Sequence, residues 1–292
     1  TVSLRHPAAP APLTWAVLAP GGVEVPGQRV VAGTLAVSAP GDAEPLAEGA
    51  RSRDPGPVAQ PWLLAEVGDE RLSEGLDARW QATVELWRSD RRPGPGPRVS
   101  PLGARERNAY LAATPTLDWD APAFQAYLDA EGLRRWPGEA DWAFGERIYA
   151  HLLATKRYDG PVGRPSEVCA RAGSDCGGLA MLYAGILRAS GVPARTLWGR
   201  WALSEEPDYG QWHVKAEFWA EHVGWVPVEL AGALTWDLDD PLALLGTDGG
   251  DFVTFHIDPD LAFDLPTLGP RATPWSQFLL TWCTPAHPAP LE

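Results

Sequence analysis

The spacing of hydrophobic positions changes period twice along this chain. Up to about residue 90 the apolar residues come in short, Val-, Leu-, Trp- and Thr-rich runs: Leu13–Leu18, Val23–Val37, Trp62–Val67 and Trp80–Trp87. These read as strands separated by turn clusters such as Pro20-Gly21-Gly22 and a loop from Ala39 to Pro57. In the last run Trp80, Ala82, Val84 and Leu86 point one way and Gln81, Thr83 and Glu85 the other. Arg91–Pro97 (R-R-P-G-P-G-P) is too rich in Pro and Gly for a helix or a central strand and reads as a linker. The period then becomes helical. Ser100-Pro101 opens a helix through Tyr110-Leu111. A second spans Ala121–Leu133, and a third spans Glu139–Lys156 with Phe144, Ile148 and Leu152 on one face. Pro165–Ala172 is a short turn or helix. After Arg195 the period returns to two, predicting strands at Thr196–Leu203, Gln211–Ala220, Val223–Leu230 and Phe252–Ile257. The tail from Thr281 is Pro-rich and reads as extended.

A run of helices followed by a run of strands argues an α+β domain rather than a wound α/β sheet. The expected division is a β-rich domain over 1–97, an α+β domain over 98–270 and an extended tail over 271–292. A chain of 292 residues has room for two modest domains.

Between the third helix and the first late strand lies S-D-C-G-G-L-A-M-L-Y-A-G-I-L-R-A-S-G-V-P-A-R, residues 174–195. Leu179, Leu182, Tyr183 and Ile186 fall on one helical face. Gly191 and Pro193 end the helix, and Ser174 or Asp175 can cap its start. Cys176 therefore stands at the positive end of a helix dipole, which favours a thiolate. Gly177 and Gly178 let another segment approach the sulfur. An inert core cysteine is the competing reading of this stretch taken alone.

Charge and cysteine usage narrow the partners. A net charge of −14 argues against nucleic acid or an anionic membrane as a general partner. The cluster Arg88, Arg91, Arg92, Arg98, Arg105 and Arg107 reads as a solvated face. No apolar run is long enough to span a membrane. Three cysteines, Cys169, Cys176 and Cys283, make no disulfide framework and fit a reducing, cytoplasmic compartment. The chain starts at Thr1 rather than Met, which suggests a processed start and leaves secretion open. Cys169 and Cys176 lack the C-x2-C spacing of a zinc site, so neither a metal nor another cofactor is expected, although a site built from Cys169, Cys176 and His213 stays open. The aspartates 237, 239, 240, 248, 251, 258, 260 and 264 lack EF-hand spacing and read as solvated surface. His222 reads as a solvated turn residue and His256 as structural.

The strand Q-W-H-V-K-A-E-F-W-A puts His213, Lys215, Glu217 and Trp219 on one face. In V-G-W-V-P-V-E-L, Trp225 and Glu229 share a face. An antiparallel hairpin centred on Glu221 sets His213 opposite Glu229 and Glu217 opposite Trp225. A carboxylate there can hold the imidazole tautomer and stabilise the imidazolium, whereas a one-residue slip would turn Glu229 away. Nucleophile, base and orienter are thus Cys176, His213 and Glu229.

The order and type of these residues resemble the transglutaminase-like superfamily, a branch of the papain-like cysteine enzymes. The resemblance rests on G-S-D-C-G-G-L-A-M-L-Y-A at 173–184, L-R-A-S-G-V-P-A-R at 187–195, H-V-K-A-E-F-W at 213–219 and G-W-V-P-V-E at 224–229. It covers roughly Tyr149 to Leu230 and implies a papain-like core, with a helix-borne cysteine packed on an antiparallel sheet. It also implies acyl transfer on a protein or peptide substrate. Glu229 stands where the family has Asp, and Lys215 where it often has Trp. That lysine would lower the imidazolium pKa unless Glu217 pairs with it. Hydrolysis is preferred to amine-accepting cross-linking, because water needs no second binding site. A catalytically inactive binding module on the same scaffold is the alternative of another class. The oxyanion hole would use the Cys176 N–H and one donor from Gln211, Trp212 or Tyr158.

Overall fold

The computed structural model describes residues 2–6, 14–94, 98–202 and 211–284. Leu13, residues 95–97 of the expected linker, Leu203 and the tail beyond Thr284 lie outside them. Along the chain come β1 (Val2–His6), β2 (Thr14–Pro20), β3 (Gln28–Ser38), β4 (Ala47–Glu48), β5 (Ala50–Arg53), β6 (Pro61–Gly68), β7 (Leu76–Leu86) and β8 (Ser89–Asp90). The helices α1 (Ala104–Ala109), α2 (Pro122–Ala130) and α3 (Asp141–Thr155) follow. Next are β9 (Arg157–Tyr158), α4 (Pro165–Val168), β10 (Gly173–Ser174) and α5 (Cys176–Ala189). Then come β11 (Ala194–Trp201), β12 (Trp212–Ala220), β13 (Gly224–Val228) and α6 (Leu230–Thr235). The chain continues through β14 (Thr247–Asp248), β15 (Phe252–Ile257), β16 (Leu261–Leu265), β17 (Gly269–Thr273) and β18 (Leu280–Cys283).

The elements gather into two compact units. One takes the residues up to 85 together with those from 261 onward, and the other takes residues 86–260. The boundary thus falls before the expected linker. Residues 271–284 do not form a separate extended tail, because β18 pairs antiparallel with β2, Leu280 opposite Leu18.

The first unit is built from strands, with one short 3-10 turn at Glu70–Glu74 among its described residues. Its sheets run β1-β7-β3-β4 and β18-β2-β6-β5, beside the hairpin β16-β17. Ala16, Leu18 and Trp62 pack on Leu261, Phe263, Leu265 and Leu268 from the far end of the chain. Val23–Val37 is not one strand. Pro26-Gly27 makes a turn, with Gly27 at φ +91° and a bridge from Val25 to Gln28.

The second unit carries an antiparallel sheet in the order β13-β12-β11-β15, with α5 packed on β11 and β12. The four residues of the sequence stripe on α5 are all buried. So are its other flanks, in keeping with a helix apolar nearly all round. Tyr183 meets Phe218 of β12 at 6.2 Å between rings, and its hydroxyl donates to the Gly145 carbonyl on α3 at 3.0 Å. Gly145 is required there: a Cβ would lie 2.5 Å from the Phe218 ring. The expected first helix is shorter than its pattern, starting at Ala104 behind an uncapping Gly103 rather than at Pro101. Among the described residues no helix is long and apolar enough to cross a membrane.

Two buried cations fix the route into and out of α5. Lys156 Nζ donates to the carbonyls of Val168, Cys169 and Arg171, at 3.2, 2.9 and 2.6 Å, in the turn that leads to Cys176. Arg195 closes on Glu217 at 2.6–2.7 Å and lies 3.9 Å over the Trp225 ring. Burial pushes the Glu217 carboxyl up even with Arg195 beside it, so the pair stands only as a pair. Replacing Glu217 by Gln should therefore cost about 3 kcal/mol in urea unfolding, because Arg195 is left charged and buried. A loss below about 1 kcal/mol would mean that the guanidinium finds another partner.

Candidate active site

Cys176 is the first residue of α5. Asp175 caps the helix, its Oδ1 accepting the Gly178 N–H at 2.9 Å. Ser174, the other candidate cap, instead donates its hydroxyl to the Pro161 carbonyl at 2.8 Å. It presses on Gly178, where a Cβ would fall 2.1 Å from the Ser174 oxygen. The glycine lets the pre-helix turn fold tightly under the cysteine, and Cys176 itself is part-exposed. All three cysteines are free thiols, and Cys169 is buried with its sulfur on the Ser166 carbonyl. Among the described residues no three His, Cys, Asp or Glu side chains are grouped to hold a metal ion.

The structure brings His213 and Glu229 together, but by a different route from the expected one. The hairpin is centred one residue later: Glu217 faces Pro227 and Trp219 faces Trp225. Partners are therefore displaced by two positions, which preserves the face of every side chain. Glu229 is also not a strand residue. β13 ends at Val228, and Glu229 becomes the N-cap of α6, at φ −115° and ψ 88°, with Oε1 accepting the Gly232 N–H at 2.9 Å. From that cap the carboxylate reaches back to His213 Nε2, with its two oxygens 3.0 and 2.9 Å away. Tyr149 fixes the same residue from behind, its hydroxyl donating to the Glu229 carbonyl at 3.0 Å.

His213 is 6% exposed and Glu229 5%. Burial by itself pushes the His213 imidazolium down. The Glu229 carboxylate and the hydrogen-bonded Cys176 outweigh it and raise the group to about 9. Burial pushes the Glu229 carboxyl up, but His213, Lys215 and the Gly232 N–H hold it below its ordinary value. The His213 side chain is also hydrogen-bonded to Cys176. Tyr158, on β9, also reaches Cys176, and burial together with that neighbour pushes its phenol up to about 12. Of the other candidate donors, Trp212 packs on Phe255 at 5.9 Å and under Arg200.

Trp201 stacks on the His213 ring at 4.8 Å and 25°, and half-exposed Trp236 leans on Trp201 at 5.8 Å. Lys215 does not pair with Glu217, which Arg195 occupies. Its partner is Asp248, at 2.9 Å. Several acidic residues expected on the solvated surface are thus structural. Asp258 takes Arg188 and the Thr196 N–H, Asp260 takes Thr114 and Thr116, and Asp240 caps a turn. Nothing in their spacing marked Asp258 and Asp260, because their partners lie far away in the chain. His222 is an exposed turn residue at φ +67°, and His256 is fully buried against the Asp258 carbonyl and Trp198.

Residues 138–230 match the family model of the transglutaminase-like superfamily. The matched span holds Cys176, His213 and Glu229. Among solved structures the fold is similar to that of a candidate cysteine protease from Cytophaga hutchinsonii, at a TM-score of 0.56 and 12% identity over 99% of this chain and 90% of that one. The periplasmic domain of TgpA from Pseudomonas aeruginosa aligns at a TM-score of 0.38 and 15% identity, over 80% of this chain and 93% of that one. No curated protein matches the chain.

The His213–Glu229 pair makes stability depend on pH with a definite sign. The histidine contribution is full below its ordinary 6.5 and is lost as pH rises through about 9. The Glu229 contribution is present above its ordinary 4.5 and is lost as pH falls through the depressed value. The unfolding free-energy gap between wild type and Glu229→Gln should therefore be widest, about 3 kcal/mol, between these two ordinary values, and should close above pH 9. A gap independent of pH in denaturant titrations would contradict the pairing.

Proposed function

We propose that this protein is a thiol-dependent hydrolase of amide or peptide bonds, with Cys176 as nucleophile, His213 as acid and base, and Glu229 as orienter. One observation carries the reading: a buried imidazole with both carboxylate oxygens on Nε2 and a hydrogen bond to a helix-terminal thiol. That is the arrangement a nucleophile, base and orienter require. The match to the transglutaminase-like superfamily supports a thiol enzyme in general.

The Cys176 thiolate attacks the amide carbonyl carbon. His213, protonated and steadied by Glu229, donates its proton to the amide nitrogen as the C–N bond breaks. The amine leaves, and a thioester remains on Cys176. Neutral His213 then takes a proton from water, which attacks the thioester. The C–S bond breaks, the carboxylic acid departs, and the thiolate–imidazolium pair is restored. Donors at the start of α5, led by the Cys176 N–H, face the developing oxyanion. Tyr158, kept protonated by its raised pKa, supplies the second donor. An amine in place of water would give transamidation, and the same thioester serves both.

Iodoacetamide near pH 6 should label Cys176 well ahead of Cys169 and Cys283, whose thiols burial pushes up. Turnover of a peptide library, read by mass with and without a primary amine, should give free acids and should vanish in Cys176→Ala. Amine adducts as the main product would favour the cross-linking reading. Equal, slow labelling of all three thiols with no turnover would favour a binding module. The rate should decline above pH 9 as His213 loses its proton. Tyr158→Phe should lower kcat about 100-fold with little change in KM. An unchanged kcat would remove Tyr158 from the oxyanion site.

A further inference from the structure

Lys215 is the one cation on the same strand face as His213 within two residues, and it is buried. It is also held on three sides. Its Nζ lies 2.9 Å from Asp248 Oδ2, 4.4 Å from the Trp201 ring centre and 5.0 Å from that of Phe252. The same Trp201 ring stacks on His213, and Phe252 meets His213 edge-on at 6.0 Å. Asp248 is itself fixed, its other oxygen accepting the Gly250 N–H at 2.8 Å. Gly250 has φ +71°, and a Cβ there would sit 2.6 Å from the Trp87 backbone. The partner of Lys215 is thus set by a rigid turn rather than by a mobile surface carboxylate.

We propose that Lys215 and Asp248 form a charge pair that tunes the His213–Glu229 dyad, with Lys215 acting as a positioning residue through Trp201 and Asp248 setting how much of its charge His213 feels. The proposal rests on the reading of His213 as the proton carrier. Residues two apart on a strand are about 6.5–7 Å apart. At that distance an uncompensated ammonium in a protein interior shifts an imidazolium by about one pH unit or more. Asp248 cancels most of that repulsion, while Lys215 adds to the larger effect of His213 in holding the Glu229 carboxyl below its ordinary value. An orienting glutamate in a buried site is thereby held in the form that accepts the imidazole N–H.

The other charges around the dyad do not duplicate this role. Glu217 is closed on Arg195. Asp175 faces the helix start, where it caps Gly178. Cys176 and Tyr158 approach from the thiol side, and Tyr149 contributes its hydroxyl to the Glu229 carbonyl.

The test is a double-mutant cycle read by NMR titration of the His213 ring, assigned with H213Q, alongside the alkaline limb of turnover. D248N should move the His213 titration down by about one pH unit. K215M should move it up, and K215M/D248N should bring it back near wild type. K215R and D248E keep the charges and should leave it unchanged, which separates tuning from a loss of packing. If D248N is unfolded, the comparison of K215M with the double variant carries the cycle. A His213 titration that stays put in K215M, D248N and the double variant overturns the proposal. Because the NMR readout needs no turnover, a shifted titration in an inactive protein would uphold the tuning while sinking the proposed hydrolase. An unmoved titration in an active enzyme would do the reverse.

Discussion

One carboxylate holds two things in place. Glu229 caps α6 through Oε1 and clasps His213 Nε2 with both oxygens. Helix start and imidazole are therefore fixed by the same side chain, and neither can move without the other. The Tyr149 hydroxyl on the Glu229 carbonyl ties this point to α3. α3 also accepts the Tyr183 hydroxyl of α5, the helix that begins at Cys176. Thiol, imidazole and carboxylate come from three separate elements, and these bonds keep them in register to within hydrogen-bonding tolerance.

Around this point the second unit keeps an unusual number of charges indoors. Lys156, Arg188, Arg195 and Lys215 are buried, each with acceptors built around it. Hydrophobic residues of similar volume could fill such sites at no loss of stability. What the charges add is discrimination between alternative packings. A helix as apolar as α5 could slide or rotate on a sheet, and three carbonyls on Lys156 before it and the Arg188–Asp258 pair at its end forbid that.

Much of this was legible in the chain itself, and the rest was lost for identifiable reasons. Local patterns reported themselves: the α5 stripe, its Gly191 stop and the strand at β12 all survive in the structure. The parity of the hairpin was also readable, since alternation fixes faces regardless of exact partners. The register was not, because the turn is taken at His222 in a left-handed conformation that Gly would signal more clearly. Glu229 read as strand because V-P-V-E-L continues the alternation, while the short helix L-A-G-A-L-T offers little amphipathic contrast. Asp248 was invisible as a partner of Lys215. The two residues lie thirty-three positions apart, and nothing local distinguishes an aspartate in a buried pair from one in water. The C-terminal strands failed for the same reason, since β18 is defined by its pairing with β2 and not by its own sequence.

That last pairing has a consequence for how the molecule is made. The first unit begins with the opening strands yet needs Leu261, Phe263, Leu265 and β18 to complete its core. On the ribosome these arrive after residues 86–260 have all emerged. Synthesis delivers domains in order, and each folds once its own residues are present. Here the inner unit is finished first and the outer one waits, with the edge of β2 uncovered until the final strands emerge. Birth order and reading order are thus inverted: the thiol-bearing core folds as a nascent chain while the β-rich unit that precedes it is still incomplete.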